Sequence, residues 1–398
     1  MINRKSVAKG VALAALLLGY TSAYTQSYKK VHKQAIVVDT HNDVLINMLE
    51  GLDIADNLKG KTHSDLARFK EGGVDVQVFS VWSDETYGKG KGFAYANRQI
   101  DTLYAVAARN PDKMMMAKTP ADIMQAVQQQ KLAAMIGVEG GHMIEDNLNY
   151  LDSLYSRGAR YMTLTWNNST SWATSAMDES SGKVPNHQKG LNDFGRQVVQ
   201  RMNELGMLVD LSHVGEQTFW DVMEMTSKPV LVSHSCVKAI SPHFRNLTDE
   251  QINAVGKNGG VININFEASF VDPDFAKRRQ AFIKRHQAEV DSLMQLKRSN
   301  FAINSWLVKK YPKEAAAMRP SLSLLIDHFD HIVKLVGVDH VGLGSDFDGI
   351  SSTPQQLNGV QDFPVITKEL LARGYSEADV QKILGGNFLR LLQANTGA

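Results

Sequence analysis

Val37-Val38-Asp39-Thr40-His41-Asn42-Asp43 ends an apolar run, begun at Ala35, on two metal-capable side chains. The run reads as a buried strand. Residues i and i+2 of an extended segment project to the same side, so His41 and Asp43 can meet one ion together. One His-x-Asp carries little weight by itself. Four later apolar runs end on residues of the same kind, and that recurrence decides the fold.

Strand candidates lie at 35–38, 74–81, 133–138, 160–164, 207–211, 230–232, 261–264 and 341–344. Between most of them, stretches at 93–109, 148–157, 193–205, 219–225, 250–257 and 322–336 repeat apolar residues near helical spacing. Thr248-x-x-Gln251 and Ser376-x-x-Asp379 read as helix starts of the capping-box kind. Eight strands alternating with helices imply a (β/α)8 TIM-type barrel, with a doubly wound open sheet as the alternative. The barrel is preferred because it makes strand ends converge, whereas an open sheet spreads them along a line. A helical insertion at about 272–320, before the last strand, carries Lys277, Arg278, Arg279, Lys284, Arg285, Lys297 and Arg298. It reads either as a solvated basic hairpin or as a lid or dimer contact. Helices at 363–373 and 377–393 are expected to close the outer ring.

The 398 residues are 43% hydrophobic and 21% charged, an ordinary globular mix with material for a large core. A net charge of +1 gives no electrostatic case for nucleic acid as a partner. The single cysteine, Cys236, excludes an internal disulfide and a tetrathiolate zinc site. Residues 1–23 read as a secretory signal peptide: Arg4, Lys5 and Lys9 precede an apolar run at 11–18 and the small residues Thr21-Ser22-Ala23. The expectation is a single barrel domain over 30–398, periplasmic or secreted, with no membrane anchor in the mature chain.

The polar strand ends converge on one chemistry. They are His41 and Asp43, then Glu139 in Gly137-Val138-Glu139-Gly140-Gly141-His142, His213 in Ser212-His213, His234 in Ser233-His234-Ser235, and Asp346 in Gly344-Ser345-Asp346-Phe347-Asp348-Gly349. Imidazole with carboxylate and no thiolate suits zinc or a similar divalent ion. Six such groups exceed the needs of one catalytic zinc, so two ions sharing Glu139 use them better. A water between two ions is hydroxide near neutral pH, and a free carboxylate can manage its proton. That chemistry is hydrolysis of an amide, ester or phosphate. His142 reads as structural or as a support to the ligands, Asp348 as a partner of loop amides, Asp210 as a residue facing the barrel interior, and Cys236 as a small buried residue.

These motifs, with Tyr161-Met162-Thr163-Leu164-Thr165, Arg245-Asn246 and the tail from Tyr375 to Arg390, resemble the membrane dipeptidase (renal dipeptidase) family of binuclear zinc peptidases across nearly all of 35–395. The resemblance implies one Zn2+ on His41, Asp43 and Glu139, and a second on Glu139, His213 and His234. It implies Glu139 and Asp346 as catalytic residues, Asp346 carrying a proton from the bridging water to the leaving amine. It implies that Arg245 binds the substrate's terminal carboxylate, a role that fits its planar fork; without it, Arg245 would read as a surface loop residue. At the substrate-contacting position where such proteins carry a histidine, this chain has Trp166, followed by Asn167 and Asn168. Indole donates one hydrogen bond and carries no charge, so the oxyanion-stabilising role passes to Asn167 or Asn168, or the substrate differs. Glu267 stands where the best-known members have an aromatic residue. The family's glycolipid anchor and paired cysteines are absent, so any homodimer is not disulfide-linked in that manner. The leading expectation is a zinc dipeptidase acting on free dipeptides. A binuclear amidohydrolase of N-acyl amino acids or another small amide or lactone is the rival, and a metal-containing binding protein without turnover is a third reading.

Overall fold

The computed structural model describes residues 28–397, except 88–89, 185–187 and 299. The signal-peptide reading falls outside the described residues. Nine parallel strands form one sheet: β1 (Val38–Asn42), β2 (Val76–Trp82), β3 (Met114–Met116), β4 (Leu132–Glu139), β5 (Ala159–Thr163), β6 (Leu208–Asp210), β7 (Leu231–Ser235), β8 (Val261–Ile264) and β9 (Val341–Leu343). Eight of them run in the order β1-β2-β4-β5-β6-β7-β8-β9, and β3 pairs with β4 beside that path. This is a nearly closed (β/α)8 barrel. Strands such as β4 are buried throughout, as expected where a parallel sheet is covered on both faces.

The barrel closes through the segment that follows β9. Asp346 N–H donates to the His41 carbonyl at 3.1 Å, Asp43 N–H donates to the Phe347 carbonyl at 3.0 Å, and Asn42 bridges Phe347. The Thr40 hydroxyl donates to the carbonyls of Ser233 and Leu343. The seam thus sits at the C-terminal mouth, among three of the residues singled out from sequence.

Three expectations are corrected. The first strand was expected at 35–38 but begins at Val38 and runs through His41 and Asn42. Its polar end stays in the sheet because Asn42 pairs with Phe79 of β2. The final helix is not continuous: Glu377–Gln381 and Asn387–Thr396 are joined by a π turn at Lys382–Gly386. A Cβ on Gly385 would lie 2.2 Å from the Ile36 carbonyl, so the bare glycine lets this turn seat against the entry to β1. The short strand β3, three methionines, was not anticipated. Both capping sites are present, the Thr248/Gln251 box being fully reciprocal and Ser376 accepting from Asp379 N–H. Helices Asp193–Leu205 and Leu322–Val336 occupy the expected residues. The insertion is a group of helices rather than a hairpin, from Phe275–Arg285 to Pro312–Met318, with a small core of its own that includes Phe282, Val290 and Leu307. Among the described residues, no helix is long and apolar enough to cross a membrane.

Asp75 clips β1 to β2 by accepting from Val37 N–H at 2.8 Å. Burial pushes its carboxyl up to about 6, partly offset by that hydrogen bond. A folded pKa above the unfolded value of about 3.9 means that the native state holds the extra proton, so this group's contribution to stability falls as pH rises from about 4 to 6. Asp75→Asn keeps an acceptor and removes the charge. The difference in unfolding free energy between Asp75→Asn and wild type is therefore expected to be more favourable to the variant at pH 8 than at pH 4, by about 1–3 kcal/mol. Denaturant titrations of both proteins at the two pH values measure it.

Candidate metal centre

Glu139 is the last residue of β4, and its two oxygens face different partners. Oε2 lies 3.2 Å from His41 Nε2. Oε1 lies 2.9 Å from His213 Nε2 and 3.4 Å from His234 Nε2. His41 Nε2 is also 3.6 Å from Asp43 Oδ2 and 4.0 Å from Asp346 Oδ1. All six residues found at strand ends are therefore in one cluster. Atoms of His41, Glu139 and His234 lie within 4.8 Å of one another, and so do those of His41, Asp43 and Asp346.

The imidazole tautomers follow from the partners of the opposite nitrogens. Tyr161 donates its hydroxyl hydrogen to the Thr40 carbonyl and accepts from His41 Nδ1–H at 2.8 Å. Burial raises the Tyr161 phenol pKa, which keeps it a neutral donor. Ser233 donates to Asp210 Oδ2 at 2.6 Å, so its oxygen accepts from His234 Nδ1–H at 2.8 Å. Asn167 Oδ1 accepts from His213 Nδ1–H at 3.1 Å. Each Nδ1 carries a proton, and each Nε2 faces Glu139. His213 and His234 present lone pairs there, whereas, against the effect of burial, the acidic neighbours of His41, Glu139 and Asp43 among them, hold its pKa well above the ordinary value.

Such an arrangement is repulsive on its own. Two imidazole lone pairs meet at 3.0 Å between His213 and His234, and both face a carboxylate. His41 Nε2 and Asp43 Oδ1 are buried with no hydrogen-bond partner among the described residues. Cations between these atoms turn every repulsion into a bond, so the residues fit divalent metal. Burial pushes the His213 pKa down to about 3, with the Arg245 charge adding to the effect, and pushes His234 well below its ordinary value. Both are therefore neutral at pH 7, as ligands must be.

Two buried aspartates brace the cluster in the same way. Asp210 accepts from Thr163 Oγ1, Ser212 N–H, and both the N–H and hydroxyl of Ser233, next to His234. Asp39 accepts from the N–H and hydroxyl of Ser345, next to Asp346. Each ties one metal-facing strand end to its neighbour. His213 and Asp346 have φ of 64° and 60°, left-handed backbone that costs non-glycine residues of order 1–3 kcal/mol. Gly349 is required by close approach: a Cβ there would lie 2.1 Å from Asp43 Oδ2 and 2.7 Å from Asp346 Oδ1.

Arg245 is not a surface residue. It is 4% exposed, with long hydrogen bonds from Nη1 to Ser235 Oγ (3.4 Å) and from Nη2 to the His234 carbonyl (3.3 Å), and its Nε has no partner. Among the described residues, no acidic side chain forms an ion pair with it. Burial lowers its pKa to about 10, against the pull of Glu139 and Asp346. Trp166 packs edge-on to Trp82 at 5.0 Å. Glu267 is neither solvent-exposed nor free: its carboxylate accepts from Ser269 and from Ser351 N–H. His142 contacts Ser83 Oγ, Asp348 accepts from His63 N–H, and Cys236 is fully buried. Sequence reasoning named Asn167 only as an oxyanion donor and Tyr161 and Ser233 only within motifs, and it gave Asp39 no role. The local signal was a serine immediately before each of His213, His234 and Asp346.

A family profile described as Membrane dipeptidase (Peptidase family M19) matches residues 25–397. This chain belongs to the membrane dipeptidase family. Dipeptidase 3 of Mus musculus is 31% identical over 368 residues, which are 90% of this chain and 64% of that relative's length. Two solved structures share the fold. The probable dipeptidase PvdM from Pseudomonas aeruginosa has a TM-score of 0.75 at 21% identity, covering 94% of this chain and 99% of its own. A metallo peptidase from Rhodobacter sphaeroides, liganded with a phosphinate mimic of the dipeptide L-Ala-D-Ala, has a TM-score of 0.74 at 23% identity, covering 91% and 99%.

Removing the Tyr161 hydroxyl leaves His41 without the acceptor that sets its tautomer. Tyr161→Phe is expected to weaken metal binding by about 10- to 100-fold with the fold intact. Competitive chelator titration, followed by metal analysis of the dialysed protein, reads this without recourse to activity.

Proposed function

We propose that this chain is a zinc-dependent dipeptidase, with one ion on His41, Asp43 and Glu139 and a second on Glu139, His213 and His234. The observation that carries this reading is the Glu139 carboxylate, whose oxygens face separate sets of imidazole Nε2 atoms. Bound there, the ions would acidify a water and polarise the scissile carbonyl. Three carboxylates, Asp43, Glu139 and Asp346, supply three of the four negative charges that two divalent cations need, and a bound hydroxide would supply the fourth.

The protein's own groups do the rest. Asp346 is held at Oδ2 by Asn265 Nδ2–H at 2.8 Å, which leaves Oδ1 toward the cluster to take the water's proton and return it to the leaving amine. Burial raises the Asp346 pKa, with the nearby charges of Asp43 and Glu139 adding to it against the pull of His41. Arg245, a buried cation without an acidic partner, receives the substrate's terminal carboxylate, and its distance from the cluster measures a short substrate. Asn167 spends its oxygen on His213, so its N–H groups take the oxyanion-donor role that Trp166 cannot fill. The periplasmic or secreted location remains part of this proposal, supported by the N-terminal sequence pattern alone.

Trp166 in place of the family's histidine, packed against Trp82, feeds a second reading, an N-acyl amino acid with the same free carboxylate. An assay panel separates the two. Zinc-loaded protein is expected to cleave L-L or L-D dipeptides and to leave a tripeptide intact; release of acyl groups faster than any dipeptide cleavage would overturn the leading reading. Asp346→Asn is expected to abolish turnover while metal content stays nearly unchanged, measured on one sample by rate and elemental analysis. Arg245→Met should lower kcat/KM for dipeptides by about 10- to 150-fold, the worth of a charged hydrogen bond. A dipeptide with an amidated C-terminus should lose little on the same substitution.

A further inference from the structure

A cavity of about 440 Å³ lies between the helical insertion and the loop that follows β9. No member of the metal cluster lines it. One wall is Phe275, Phe282 and Met318 from the insertion, and the other includes Ile350. Two cations, Arg279 and Lys309, stand in the same lining, and among the described residues neither forms an ion pair. A third, Arg319, is different in kind. Its guanidinium is spent on the Thr353, Pro354 and Leu357 carbonyls and on Asn358 Oδ1, so it builds the wall rather than serving an occupant. Glu267 feels the charge of Arg279, but its oxygens are committed to Ser269 and Ser351.

We propose that this cavity is a second binding site, separate from the metal centre, for an organic monoanion with an apolar body, such as a medium-chain carboxylate. The volume falls in the range of about 300–1,000 Å³ common to small-molecule sites, which combine apolar walls with a few polar groups that fix orientation. The phenylalanines, Met318 and Ile350 take the chain, and Arg279 and Lys309 take the head. The site neighbours the metal centre through the backbone. Ile350 follows Gly349, which packs against Asp43 and Asp346, and His63, in the cavity wall, exchanges hydrogen bonds with Asp348. Of the basic residues read from the insertion's sequence, Arg279 is the one this site would use.

Calorimetric titration of the zinc-loaded full chain with decanoate, and with decanol as an uncharged control, tests this. Saturable binding of one decanoate per chain is expected, with decanol at least tenfold weaker. Ala315→Trp, which fills the cavity from the helix Pro312–Met318, should remove binding. The surface changes Arg279→Glu and Lys309→Glu should each weaken it at least tenfold in proteins whose melting temperature and metal content match wild type. Absence of saturable binding, or binding unchanged in both charge-reversed variants, would overturn the proposal. Because the readout is binding and not hydrolysis, its failure leaves the dipeptidase reading untouched, and the converse also holds.

Discussion

Three imidazole Nε2 atoms and three carboxylates are aimed into one volume at the barrel mouth, a convergence of acceptors and negative charge that holds the His41 pKa well above its ordinary value against burial. An unpaired polar group in a protein interior costs free energy, and a cluster of acceptors facing one another costs more. Cations bound at the mouth of the barrel, as proposed, would convert the same contacts into ligand bonds. The proton-bearing nitrogens are fixed first. Tyr161, Asn167 and Ser233 each hold an Nδ1–H, so the lone pairs are oriented before any ion arrives.

The architecture spends its backbone on the same end. The seam that closes the barrel is made by His41, Asp43, Asp346 and Phe347, so closure and site assembly are one event. Asp39 and Asp210 repeat one device at two strand junctions, each anchoring the serine that precedes a residue of the cluster on a neighbouring strand. Left-handed backbone at His213 and Asp346, and the bare Gly349, let the loops turn in far enough to reach the cluster. Strain is stored where the chemistry is, and the long apolar strands beneath it supply the rigidity.

Much of this was legible in the sequence for a physical reason. A buried strand that ends on a ligand leaves a local mark, an apolar run cut short by His, Asp or Glu, and that mark recurred in order at five strand ends. The barrel, the six clustered residues and the insertion could all be read from it. What stayed hidden depends on long-range contact. The tautomer of His41 is set by a tyrosine 120 positions away, and the burial of Arg245 depends on packing that no local pattern encodes. Glu267 stood out only as a departure from the family's aromatic residue, and its oxygens turn out to be held by Ser269 and the Ser351 amide. The first strand was placed too early because apolar periodicity stops where its polar, metal-facing residues begin, although the ladder continues.

Anomalous scattering at the zinc edge, from crystals of the zinc-loaded protein, tests the central claim most directly. The account predicts two peaks per chain flanking the Glu139 carboxylate, one beside His41 and Asp43 and one beside His213 and His234. A single peak, or peaks that do not share Glu139, would contradict it.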